Sequence, residues 1–241
     1  LGNLEQQDKP FALAVETSGR TGSAAIGTGQ KIMKHHTLSG QLRHGAELFT
    51  ACRDLLDNAG AKPSDIDHIY ISAGPGSFTG IRIAVTLAKI LNFANGTKIV
   101  SISTMDVLSA NAAAYISTTA NQITRLATIL DAKRGQFYVA VFDRRGDQWL
   151  KTVQDCLMTP AEFLQNVPGP DPVWLTGEGL VYYKDRFAAP HVLFLDEQYW
   201  FPTAAAVYKL AAEQAKAGNF SDPLTLAPSY IRGADAIPKA R

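Results

Sequence analysis

Only two cysteines occur in the 241 residues, Cys52 and Cys156, and neither has a CxxC partner or a neighbouring histidine. That excludes a thiolate zinc site and a thioredoxin-type redox pair. Isolated thiols suit a reducing compartment, so a cytoplasmic location is expected. Histidine is equally sparse, with five residues. His35 and His36 are adjacent, so on a strand they point to opposite faces. Four positions after His44 stands Leu48, so there is no HxxxH or HExxH pair and no metal centre is expected. No GxSxG elbow marks a serine nucleophile. Neither sign of charge dominates: 23 Lys and Arg stand against 22 Asp and Glu, a net charge of +1. No whole-molecule field would draw in nucleic acid, and no aromatic–basic motif supports a self-sufficient RNA-binding module. Long apolar runs are missing too. The longest is interrupted by Arg82 and Lys89, well short of a membrane span. The opening LGNLEQQDKP has no basic segment followed by an apolar one, so no signal peptide is expected.

The chain does have an ordered, globular composition, with 46% apolar and 19% charged residues. Its length allows one large domain or two small ones. Short apolar runs separated by glycine and threonine turns predict strands at 11–16, 22–27 and 31–37. Leu48, Cys52, Leu55, Leu56 and Ala59 form a helical stripe closed by Gly60. A strand at 67–73, a helix at 79–94, a strand at 97–103 and a helix from Thr104 follow. The second half repeats the order: strands at 125–131, 136–143 and 148–158, a helix at 160–166 opened by the capping box Thr159–Glu162, a strand at 172–177, a short helix, a strand at 191–195 and a helix at 203–217. Each half reads βββαβαβα. That is the ribonuclease-H-like layout, and two copies in tandem give the α/β architecture of the actin, Hsp70 and sugar-kinase superfamily. The expected domains are 1–112 and 113–241, the second carrying the tail.

In such a fold, backbone amides of the turn after each first strand would hold a phosphate chain in the cleft between halves. Those turns are ETSGRTGS (16–23) and DAKRGQ (131–136). Glu16 and Asp131 end the strands, and a carboxylate there could orient a hydrated metal ion or a water. Thr17, Ser18 and the glycines equally make an ordinary hairpin turn. A third loop, GPGSFTGIR (74–82), runs from a strand into a helix. It is neither a Walker A loop nor GxGxxG. Ser77 or Thr79 can cap the helix, whose free N–H groups make a weak anion site, with Gly74, Gly76 and Gly80 shaping the corner. A bare tight corner remains open as the other reading. The helix it launches is apolar over an arc of roughly 220°, where burial on one sheet needs little more than about 100°. A second cover is required, from the preceding helix, another domain or another chain.

AVETSGRTGSAAI (14–26), the helix at His44, SAGPGSFTGIRIAVTLAK (72–89), LDAKRGQFYVAVF (130–142) and APSYIR (227–232) together resemble the bacterial TsaB (YeaZ) family. The resemblance runs in order over nearly the whole chain, and GPGSFTGIR is its most specific piece. It implies the duplicated fold. It also implies a role in adding threonylcarbamoyl to N6 of adenosine 37 in tRNAs that read ANN codons. Such chains are paralogues of the catalytic subunit TsaD and lack its HxxxH pair, as this chain does. They serve as a non-catalytic platform that binds TsaD through the two helices of the first domain; a TsaE ATPase joins, and the same helices support a homodimer in isolation. Contact with tRNA is then expected only through the complex. No cofactor of its own is expected, with ATP or ADP only at a composite interface. The interface residues so implied are His44, Leu48, Cys52 and Leu55 on one helix and Ile83, Leu87, Ile90 and Leu91 on the next. Many superfamily members carry Asp where this chain has Glu16; the extra methylene should spoil direct phosphate or metal geometry. A stand-alone ATP-dependent phosphotransferase is the competing reading, with Asp131 its one candidate catalytic carboxylate.

Overall fold

The alternation of small and branched apolar residues in FALAVE already sets two faces for the first strand. In the computed structural model, which describes residues 9–39, 44–119, 122–146, 148–167, 169 and 171–231, both faces are covered. Strand β1 (Phe11–Glu16) pairs antiparallel with β2 (Ser23–Thr28), and β2 with β3 (Lys31–Thr37). Helix α1 (His44–Asp57) leads to β4 (His68–Ser72), and α2 (Phe78–Asn95) to β5 (Lys98–Ile102), both strands joining in parallel. The sheet order is β3-β2-β1-β4-β5. After α3 (Thr104–Thr118) the pattern recurs with β6 (Arg125–Asp131), β7 (Phe137–Arg145), β8 (Gln148–Met158), α4 (Pro160–Asn166), β9 (Val173–Thr176), α5 (Leu180–Tyr183), β10 (Val192–Phe194) and α6 (Ala204–Lys216). Its order, β10-β9-β6-β7-β8, repeats the first topologically. The fold is the duplicated ribonuclease-H-like α/β architecture.

On one face of the first sheet, Leu13, Val15, Ile69 and Ile71 pack under α1 and α2 with Leu48, Leu55, Ile81, Leu87 and Leu91. Each fully buried aliphatic side chain is worth about 2 kcal/mol. On the other face, Ala12, Ala14 and Ala25 leave room for α6, which answers with Ala204, Ala211 and Ala212. Tyr70 and Tyr208 fill the remaining space edge to face, with ring centroids 5.4 Å apart. Thus the last helix of the chain covers the first sheet. The last helix of the first half, α3, turns Met105 and Leu108 onto Leu130, Ala140 and Phe142 of the second. Asn111 donates to the carbonyls of Tyr199 and Phe201 at 2.8 and 2.9 Å. Residues 112 and 113, where the sequence suggested a border, lie within α3. The tail returns as well: Ser221 N–H donates to Ile99 O at 2.8 Å, and Ser229 N–H to Ala73 O at 2.7 Å.

These helices start and stop where local chemistry dictates. Ser77 caps α2, accepting from Gly80 N–H, and Gly96 ends it in the left-handed region at φ 73°. Thr159 and Glu162 form the expected capping box on α4. His35 and His36 sit exposed on the edge strand β3. Among the described residues, no helix is long and apolar enough to cross a membrane.

Candidate functional site

The carboxyl ends of β1, β4, β6 and β9 meet at a cleft of about 480 Å³ between the halves. Ser18, Gly19 and Arg20 of the first loop line it, with Gly76, Ser77 and Phe78 from the glycine loop. Asp131 and Lys133 face them from the second half, with Glu178, Tyr182 and Tyr183. Of the residues singled out as phosphate-loop candidates, Ser18, Gly76, Ser77 and Asp131 therefore reach the cleft. Glu16, Thr17, Gly74 and Gly80 are buried behind it, and Thr79 is exposed toward a different groove.

Glu16 is fully buried. Its carboxylate accepts from Ser18 N–H at 2.6 Å, from Ser18 Oγ, from Ser72 Oγ and from the Gly19 N–H. Burial pushes its pKa up, and these donors oppose the shift. Glu16 thus ties the end of β1 to the end of β4, and its carboxylate is shielded from any ligand in the cleft. The glycine loop is shaped by backbone contact. A Cβ at Gly80 would lie 1.8 Å from Thr17 O, and one at Gly76, where φ is +152°, 2.4 Å from Ser18 O. Ser77 N–H donates to Ser18 O at 2.8 Å, and Thr17 Oγ1 to Gly80 O at 2.7 Å. The loop's flexibility is spent on clasping the first loop.

Asp131 pairs with Lys133 Nζ at 2.7 Å and accepts from its N–H. The more consequential carboxylate was not foreseen. Glu178 comes from TGEGL (176–180), is 8% exposed, and accepts the Arg20 N–H on both oxygens at 2.9 Å. Burial, reinforced by nearby Glu16, pushes it up to about 7. Its only signal in the sequence is a symmetric one: β9 is the second-half counterpart of β4, so this glutamate stands between glycines where the first half has GPGSFTG. The Arg20 guanidinium lies 4.6 Å from the Tyr182 ring centroid.

The implied partner helices divide sharply. Leu48, Cys52, Leu55, Leu87 and Leu91 are all buried in the first core, so none offers its side chain to a partner from this surface. They face the sheet and each other because that apolar stripe is what seals α1 and α2 to it. Burial pushes the Cys52 thiol up to about 12. Ile83 is half-buried and Ile90 is 55% exposed. The His44 side chain lies outside the described residues. Besides Ile90, the helices present aromatic side chains: Phe49 at 54%, Phe78 at 59% and Phe93 at 94% exposure. Phe49, Phe78 and Ile83 line a groove of about 350 Å³ with Thr79, Arg82 and Thr86. Tyr230 of the returning tail stacks on Phe78, centroids 5.5 Å apart.

Two ribonuclease-H-like units facing across a cleft define a protein of the tandem ribonuclease-H-like fold. YeaZ from Pseudomonas aeruginosa shares this fold at a TM-score of 0.77 and 24% identity, covering 92% of this chain and 99% of that one. The family model for TsaD, tRNA N6-adenosine threonylcarbamoyltransferase, matches residues 31–227. The tRNA threonylcarbamoyladenosine biosynthesis protein TsaB of Bacillus subtilis is 27% identical over 231 residues, 94% of this chain and 96% of that protein. Its Escherichia coli namesake is 24% identical over 225 residues, 91% and 94% of the two chains. The chain belongs to the family of that TsaD model, and the relatives it matches along nearly its whole length are TsaB proteins.

Proposed function

We propose that this chain is a non-catalytic platform subunit that binds and supports a TsaD-like transferase. The complex would add threonylcarbamoyl to N6 of adenosine 37 in tRNAs reading ANN codons. The observation that carries the reading is the apolar surface left on α1 and α2. Phe49, Phe78, Ile90 and Phe93 are exposed on the helices that also build the first core, so the surface is rigidly presented. Large exposed apolar side chains grouped in this way mark a protein interface. The same surface would support a homodimer in isolation. The transferase would then compete for it, and a TsaE-like ATPase would join the assembly. The state of Glu16 supports a non-catalytic role, since its carboxylate is fully engaged inside the protein. ATP or ADP would bind at a composite interface with the partner, and tRNA would be reached only through the complex.

Size-exclusion chromatography with light scattering tests this, on the chain alone and mixed with the TsaD-like protein of the same organism. A homodimer giving way to a heteromer is expected. The double variant Ile90→Asp, Phe93→Asp should stay folded and lose at least about 2 kcal/mol of association, roughly twenty-five- to thirtyfold in Kd. A folded double variant that still binds the transferase would place the interface elsewhere. A monomer indifferent to the transferase would overturn the platform reading.

A further inference from the structure

An anion-binding loop works by aiming successive backbone N–H groups at one ligand. The turn after β1 has such groups, and carboxylates of this chain already hold them. Ser18 and Gly19 donate to Glu16, and Arg20 donates to both oxygens of Glu178 at 2.9 Å. The fit is close: a Cβ at Gly19 would lie 2.4 Å from Glu178 Oε1, so the carboxylate enters only because that residue is glycine. Glu178 reaches the loop from the opposite half, 158 positions away in sequence. The facing positive charge is Arg20, set over the Tyr182 ring.

We propose that Glu178 is a built-in anion: its carboxylate takes the place of a phosphate oxygen at the first loop, latches the two halves together across the cleft, and keeps phosphate-bearing ligands out. A phosphate entering the cleft would have to displace the carboxylate from the Arg20 N–H. It would then sit beside the charge of Glu178, with Glu16 behind. Like charges in a poorly solvated site repel strongly. The groups facing Glu178 are Glu16 behind it, Arg20 on the same loop, and Asp131, Lys133, Tyr138, Tyr182 and Tyr183 around the cleft. The latch belongs to the chain alone and holds whatever α1 and α2 bind.

The test is calorimetric titration of pyrophosphate into the whole chain at a pH of about 8, where Glu178 is ionised. Glu178→Ala is expected to bind pyrophosphate at least about tenfold more tightly than the unaltered chain. Equal affinities, or a folded Glu178→Ala that takes up no pyrophosphate, would overturn the proposal. Should the alanine variant not fold, amide NMR on the unaltered chain decides. The Arg20 amide is expected to shift as Glu178 titrates at about pH 7, and to stay unmoved by pyrophosphate once Glu178 is ionised. An Arg20 amide indifferent to pH, or one that moves with pyrophosphate, would sink the latch.

Discussion

Glu178 and Glu16 are two buried carboxylates with different duties. Glu16 is held by several donors and is part of the corner between β1 and β4. Glu178 has fewer donors to oppose its burial, which raises it from an ordinary 4.5 to about 7. The linkage sign follows. Below about 4.5 it is protonated whether the chain is folded or not, so it adds no pH dependence. Between about 4.5 and 7 the unfolded chain ionises while the native one keeps its proton, so stability falls as pH rises. Glu178→Gln keeps the shape and a carbonyl acceptor but removes the charge. It should raise stability at neutral and alkaline pH by at most about 3 kcal/mol and flatten that pH slope. Thermal melts of both proteins from acid to alkaline pH would check it; parallel curves would contradict it.

At the scale of elements, the glycine loop and α2 form one unit. The 1.8 Å approach of a Cβ at Gly80 to Thr17 O involves backbone on both sides, so neither can simply rotate away. Gly80→Ala should destabilise by several kcal/mol, on the order of 3–5. Gly60→Ala is the control: it ends α1 with φ +67° and has open space around it, so about 1–2 kcal/mol of backbone strain is all it should cost. Denaturant unfolding of the two variants gives the comparison, and equal losses would mean the corner is looser than it stands. The wide apolar arc on α2 told of a second cover, and α1 and Leu226 of the tail share the same core with it. The same arc did not reveal which residues stay outside. Leu87 and Ile90 are both aliphatic, three positions apart and on one helix, yet one is buried and the other open. That difference is set by how distant segments pack on α2, which no periodicity encodes.

The whole molecule is held together by exchange. Helix α6 covers the face of the first sheet lined by Ala12, Ala14 and Tyr70, and α3 lies against the second sheet. The tail adds Leu226 to the first core. A fragment ending at residue 119 would leave the α6-facing side of its sheet in water. It should fail to reach a cooperative fold, showing weak near-UV dichroism and dye binding. Sharp melting of that fragment would show that the first half is self-sufficient. The latch at Glu178 is one more tie across the same cleft, made by a single side chain where α3 and α6 use whole faces.

Local chemistry alone determined most of the elements. Strand alternation, the Leu48–Ala59 stripe, the glycine stops and the Thr159–Glu162 box are all signals within a few residues, and their repeated order made the duplicated fold legible. The glycine loop was legible as a corner between strand and helix. That its glycines admit the backbone of Thr17 and Ser18 was not, because the touching partner lies some sixty positions earlier. The site was harder still. Whether Leu48 or Phe49 faces the sheet, and that Glu178 reaches Arg20 across 158 positions, depends on how distant segments pack. Burial and donor geometry are properties of that packing, so only the tertiary structure decided which side chains are core, which form a surface, and which carboxylate occupies the cleft.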